Sequence, residues 1–308
     1  MNMFEGGERT LTPPQPLPAS AIVLIRDSEH GVQMFMTRNA DEPGQDDRNR
    51  WDFPSGQVRP SDSRWLPMAG ATPERCAQML RKTNVTRSLA YFVAAGRVAL
   101  ELTGVLVAQT TDGTIATETD VTYVRDARAK LFQKKVGFGA VLETRNLEFR
   151  PDMLRPWLRW VNTEWQLKRF DTVYFTAVMP PDQSVNFESI TGAWGGWVSP
   201  AEVLSMCGED SSDFISGPVR LICESLLGVP SVAAAMCKIR DVTPITPEVF
   251  KKDGTWWVSL DPRADPSERG RTRQTEVVDT SGDEDGEDPQ SLTSELEEVD
   301  SPSSSSEV

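Results

Sequence analysis

Side chains suited to acid–base or nucleophilic chemistry are scarce in this chain. His30 is the only histidine of 308 residues. It falls in Ser28-Glu29-His30-Gly31, a turn-like stretch, so a Ser-His-Asp or Cys-His arrangement has no base and a histidine metal cluster is ruled out. Cys76, Cys207, Cys223 and Cys237 lie far apart and form no Cys-x-x-Cys pair. That pattern indicates neither a thiolate zinc site nor a disulfide framework, and it predicts a reducing, cytoplasmic setting. Gly192-Ala193-Trp194-Gly195-Gly196 is glycine-rich but lacks the lysine of a phosphate loop and the spacing of a dinucleotide fingerprint, so it predicts a turn between strands. Arg97 and Glu101 stand four apart, a spacing that on a helix surface makes an ion pair worth a few tenths of a kcal/mol. Val98 and Leu102 repeat the spacing with apolar side chains, which predicts a packed rather than a wet face.

The element that carries these four residues is the clearest helix in the chain. From Ser88 to Thr103, apolar or small side chains recur at Leu89, Phe92, Val93, Gly96 and Leu100; Ser88 suits the cap and Gly104 the left-handed terminator. Ahead of it, residues 19–26 and 32–38 predict two strands joined through Gly31. Residues 40–50 read as a surface loop, and an insertion over 60–86 is partly helical around residues 73–81. Behind it, residues 105–108 resume an extended pattern, 124–143 are amphipathic, and 170–179 make the best strand, ended by Pro180-Pro181. Ser199-Pro200-Ala201-Glu202 has the signature of a helix start, and another helix spans 217–227. Trp157, Trp160 and Trp165 are expected to pack the core. Strands and helices in mixed order, without regular βαβ alternation, predict an α+β or α/β fold in which a mixed sheet packs against helices.

With 38% hydrophobic residues and nine Trp the chain can build a substantial core without staples. One folded domain over 18–261 is the expectation, preceded by a flexible 1–17 and followed by a disordered, acidic, Ser-rich tail over 262–308. The net charge of -14 is concentrated in that tail: residues 274–308 hold twelve Asp or Glu and no Lys or Arg, which leaves -2 for the remaining 273 residues. A near-neutral body has no broad basic face for a nucleic-acid backbone. The N-terminus lacks the basic start and apolar run of a signal peptide, and Arg97 and Glu101 interrupt the longest apolar stretch, so neither secretion nor a membrane span is expected.

Two separated blocks, Asp52-Phe53-Pro54-Ser55-Gly56-Gln57-Val58 and Arg97-Val98-Ala99-Leu100-Glu101-Leu102-Thr103-Gly104-Val105, together resemble the signature of the Nudix hydrolases. That signature is a glycine with an acid six residues on, then an Arg-Glu-x-x-Glu-Glu-x-Gly helix. Gly56 and Asp62 match the first half and Arg97 to Gly104 the second, with an insertion of about thirty-five residues between them. The insertion resembles the branch that includes the peroxisomal coenzyme A diphosphatase. Leu154-Arg155-Pro156-Trp157-Leu158-Arg159-Trp160-Val161, Arg169-Phe170-Asp171-Thr172-Val173-Tyr174-Phe175 and Trp197-Val198-Ser199-Pro200-Ala201-Glu202 are similar to further blocks of that branch.

The resemblance implies a mixed sheet sandwiched between helices and a metal-dependent hydrolysis of diphosphates, with Mg²⁺ or Mn²⁺ held by helix carboxylates. It assigns catalysis to Glu101 and Arg97, substrate binding to Gly56, Asp62 and Glu188, and metal binding to Glu101 with help from Asp62 or Glu188. The substrate would be a small nucleoside-diphosphate-linked molecule, coenzyme A-like compounds included. The family places carboxylates one, four and five residues after the arginine, and here those positions read Val98, Glu101 and Leu102. Loss of a general base costs on the order of a hundredfold to ten-thousandfold in rate. The alternative is a non-catalytic Nudix-fold module that binds a ligand or another protein.

Overall fold

The computed structural model describes residues 13–38, 49–164, 168–187, 194–207, 211, 213–252 and 255–260. Most of the N-terminal extension, the surface loop, Trp165, Glu188, Gly192 and the acidic tail lie outside the described residues.

The strands in chain order are β1 (Leu17–Ser28), β2 (Gly31–Arg38), β3 (Asn49–Asp52), β4 (Ser55–Gln57), β5 (Ala108–Thr110), β6 (Leu147–Phe149), β7 (Leu154–Val161), β8 (Phe170–Val178), β9 (Trp194–Val198), β10 (Asp213–Ile215), β11 (Glu248–Lys252) and β12 (Thr255–Ser259). The helices are α1 (Pro73–Met79), α2 (Val85–Val98), α3 (Glu118–Tyr123), α4 (Arg125–Phe132), α5 (Phe138–Glu143), α6 (Pro200–Met206), α7 (Gly217–Leu226) and α8 (Val232–Cys237).

Two compact units are present. The larger comprises Pro18–Trp160 and Asp171–Ile245, and the smaller Met1–Leu17, Val161–Phe170 and Thr246–Val308. Within the smaller unit β11 and β12 pair antiparallel with Phe250 opposite Trp257, and Arg169 Nη1 donates to the Pro14 carbonyl at 2.9 Å.

The main sheet runs β10-β3-β2-β1-β8-β7, with β4 also on β1 and β9 also on β2. It is mixed: β1 is antiparallel to β2 and β4, whereas β10 is parallel to β3. The hairpin predicted through Gly31 is present, with Ser28 opposite Gly31 and φ +104° at the glycine, a conformation in which a β-carbon is costly. Ala19 to Ile25 are all buried, the mark of a strand covered on both faces. Ile22 and Leu24 join Phe92, Val93 and Val98 of α2, and Val173 and Phe175 of β8, in one apolar cluster. Elsewhere Trp157 of β7 donates its indole N–H to Ser225 of α7 at 2.8 Å, and Trp157 and Trp160 are buried as expected. Helices therefore flank a mixed sheet, the fold class read from the sequence. No helix among the described residues is long and apolar enough to cross a membrane.

Some elements differ from expectation. The helix bearing Arg97 begins a turn earlier than Ser88, because the Asn84 side chain accepts from the Arg87 amide at 2.9 Å and Asn is as good a cap as Ser; the Ser88 hydroxyl bonds back to the Asn84 carbonyl. The amphipathic stretch 124–143 is divided between α4 and α5 by Lys134, whose φ is +59°, and by Gly137, which caps α5. Gly195 and Gly196, expected in a turn, lie in β9 opposite Thr37 and Met36. The rings of Phe187 and Trp194 occupy the space where their β-carbons would stand, so glycine permits close packing on an extended backbone. In the insertion, α1 forms where helix was expected, capped by Thr72.

Candidate functional site

Four elements converge on one buried ion-pair network. β4 brings Gly56 against α2, so close that a β-carbon on the glycine would lie 3.0 Å from Val98 Cγ2 and 3.9 Å from Arg97 Nη1. The 3₁₀ turn Pro60–Ser63 follows and turns Asp62 inward, where Oδ2 accepts from the Arg59 amide at 2.8 Å. Arg97 reaches across from the last turn of α2. The helix then widens into a π turn, Ala99–Thr103, which carries Glu101 and ends at Gly104 in the left-handed conformation. Such widened turns re-aim side chains away from the regular helical stripe.

Arg97 holds Asp62 in the fork geometry of a guanidinium on a carboxylate, Nε to Oδ1 at 2.9 Å and Nη2 to Oδ2 at 3.0 Å. It also donates to Glu101 Oε2 at 2.7 Å and to the Gln57 carbonyl at 2.7 Å. Side-chain exposure is 1% for Arg97, 0% for Asp62 and 3% for Glu101. The i,i+4 pair that spacing placed on a surface is thus in the core, where breaking it costs far more than a surface pair would. Burial works against the charge on Arg97, and Asp62 and Glu101 outweigh it, so the guanidinium is held protonated. Burial pushes the Glu101 carboxyl above its ordinary range against the pull of Arg97 and Arg59.

The residue that sequence reasoning missed is Arg59. Its guanidinium reaches Glu101 Oε1 at 2.5 Å and Oε2 at 3.2 Å and also donates to the Leu131 carbonyl at 3.1 Å. No sequence signal marks it: it lies outside the helix and 42 residues before its partner. Arg128 of α4 supports the π turn by donating to the Glu101 carbonyl. Four of the five residues expected at the site, Gly56, Asp62, Arg97 and Glu101, are therefore brought together; Glu188 lies outside the described residues.

A second network was not foreseen. Asp171 of β8 accepts two hydrogen bonds of 2.7 Å from Arg159 of β7 and one of 2.9 Å from the Tyr91 hydroxyl of α2, and Lys82 Nζ lies 3.5 Å away. It ties the insertion, α2 and two strands together.

A hard divalent cation wants about six oxygen ligands in an open arrangement. Here both Asp62 oxygens and both Glu101 oxygens accept from arginine side chains or the Arg59 backbone. Val98 is 1% exposed, and Leu102 packs against the apolar cluster. Among the described residues no group of three or more His, Cys, Asp or Glu could hold a metal ion. The residues present do not fit the cation that the resemblance implies. What they make is a charge-balanced lock.

No family model and no curated protein matches the sequence. Solved structures do. The chain is similar to a NUDIX hydrolase from Alicyclobacillus acidocaldarius at 20% identity and a TM-score of 0.56, over 73% of this chain and 97% of that one. A C. elegans Ap4A hydrolase in a binary complex aligns at 11% identity and TM-score 0.33, over 68% and 93% of the two chains. The NUDIX domain of Shewanella oneidensis NrtR, crystallised with ADP ribose, aligns at 12% identity and TM-score 0.30, over 62% and 78%. At these identities the likeness is one of architecture, and the architecture of this chain is the Nudix fold.

Proposed function

We propose that this chain is a Nudix-superfamily member, of the branch with a long insertion inside its signature, in which metal-assisted diphosphate hydrolysis has been given up and ligand binding retained. One observation carries the reading: Glu101, the one family carboxylate left on the helix, is held by two guanidiniums instead of facing an open cation site. Val98 and Leu102 at the neighbouring family positions supply no oxygen. Hydroxide generation on a bound Mg²⁺ or Mn²⁺ then has no ligand set to rest on. The ligand class is a small molecule with a diphosphate linked to a nucleoside, as the resemblance implies.

The experiment incubates purified protein with coenzyme A, ADP-ribose and NADH, each with Mg²⁺ or Mn²⁺, and follows phosphate-ester release alongside ligand-induced melting shifts. The expected result is no turnover with at least one ligand raising the melting temperature. Turnover abolished by Glu101→Gln would instead establish the metal-dependent hydrolase, a reading favoured by the likeness to the Alicyclobacillus NUDIX hydrolase.

A further inference from the structure

The loss of helix carboxylates explains why a cation would be held poorly. It does not explain why the surviving Glu101 is satisfied. Two guanidiniums meet it in a pocket where its side chain is 3% exposed, and they differ in access: the Arg97 side chain is 1% exposed and the Arg59 side chain 21%. Arg97 is built into α2 and is committed to Asp62. Arg59 comes from the loop after β4, stays partly exposed, and contacts both oxygens of Glu101.

Resting on the reading above, we propose that Arg59 is a tethered substitute for a divalent cation: it caps the outer side of Glu101 and thereby excludes metal from this carboxylate. The charges support this. Asp62 and Glu101 against Arg59 and Arg97 sum to zero, so a further ion of charge two would enter beside two guanidiniums with no charge to neutralise. Without Arg59 the cluster carries one net negative charge, and Glu101 keeps Arg97 on Oε2 while Oε1 loses the guanidinium that donates to it. A planar fork also satisfies directions that one spherical ion would leave to water. Arg59 is in this sense a specificity-determining residue, and it acts by occupying the ligand.

The test uses Mn²⁺ alone as the probe, so its outcome is independent of turnover. In Val98→Glu/Leu102→Glu protein, two carboxylates are added while Arg59 still covers Glu101; adding Arg59→Ala frees the third. The triple variant is expected to bind Mn²⁺ at least about tenfold more tightly than the double variant by calorimetry or by loss of the free-ion paramagnetic signal, a tenfold change being 1.4 kcal/mol. Equal affinities overturn the proposal. Single Arg59→Ala protein supplies a second readout: Mn²⁺ is expected to raise its melting temperature, or to restore a cooperative melt where none is seen without metal. Wild-type and Arg59→Ala/Glu101→Gln proteins show no such effect. Failure of Mn²⁺ to stabilise Arg59→Ala also overturns it. Turnover by the wild type would sink the functional reading and leave these affinities to be judged on their own.

Discussion

Arg97 and Asp62 form a two-pronged ion pair of 2.9 and 3.0 Å across 35 residues of sequence, with the whole α1 insertion looped out between them. Replacing Arg97 by Met leaves two carboxylates, exposed by 0% and 3%, without the guanidinium they share. The expected loss of stability is about 3–5 kcal/mol, the range for breaking a buried pair by removing one side. Urea unfolding measures it, and a loss under about 1 kcal/mol would mean that the network relaxes into water.

Asp171 gives the molecule a pH-dependent brace. Burial works to raise its pKa, but hydrogen bonds from Arg159 and the charge of Lys82 outweigh it, and the carboxyl lies below the usual range. Its ionised form therefore contributes stability above about pH 4, the titration point expected in the unfolded chain, and the contribution fades as pH falls through the folded value. Comparing wild type with Asp171→Asn by urea unfolding, the gap in midpoint is expected to be clear at about pH 6 and to narrow at about pH 3. A gap unchanged between the two pH values contradicts this assignment.

Gly96 lies inside α2, where alanine would ordinarily stabilise by about 1 kcal/mol. A β-carbon there would stand 2.6 Å from Phe149 and 3.3 Å from Phe138. Both rings are themselves buried and packed edge to face at 5.7 Å. Gly96→Ala is therefore expected to lower stability by about 1–3 kcal/mol through overpacking, with partial recovery when Phe149→Leu is added. A thermal melt in which Gly96→Ala is the more stable protein would reverse the argument.

The thiols should separate cleanly in a reactivity assay. Cys237 is exposed, whereas Cys76, Cys207 and Cys223 are buried. Burial pushes their pKa up to about 12, about 11 and about 12, which removes the reactive thiolate at neutral pH. Titration of the native protein with a disulfide reagent is expected to give one fast equivalent, and the other three only after denaturation. More than one fast equivalent would show that a helix carrying a buried cysteine opens readily.

The local sequence determined a good deal of this molecule. Gly31 and Gly104 mark left-handed positions that close a hairpin and a helix, the Ser199–Glu202 spacing makes a capping box, and the two signature blocks pointed to a shared location for Gly56, Asp62, Arg97 and Glu101. Those signals operate over a few residues, or through a pattern that is itself a record of spatial contact. Tertiary structure alone decided what the site became. Arg59 neutralises Glu101 from 42 positions away, Asp171 gathers donors from three other elements, and Gly195 and Gly196 join a strand because Phe187 and Trp194 lie over them. Each of these depends on which charges and rings meet after the sheet has formed. An arginine's sequence neighbours do not reveal which carboxylate it will find in the core.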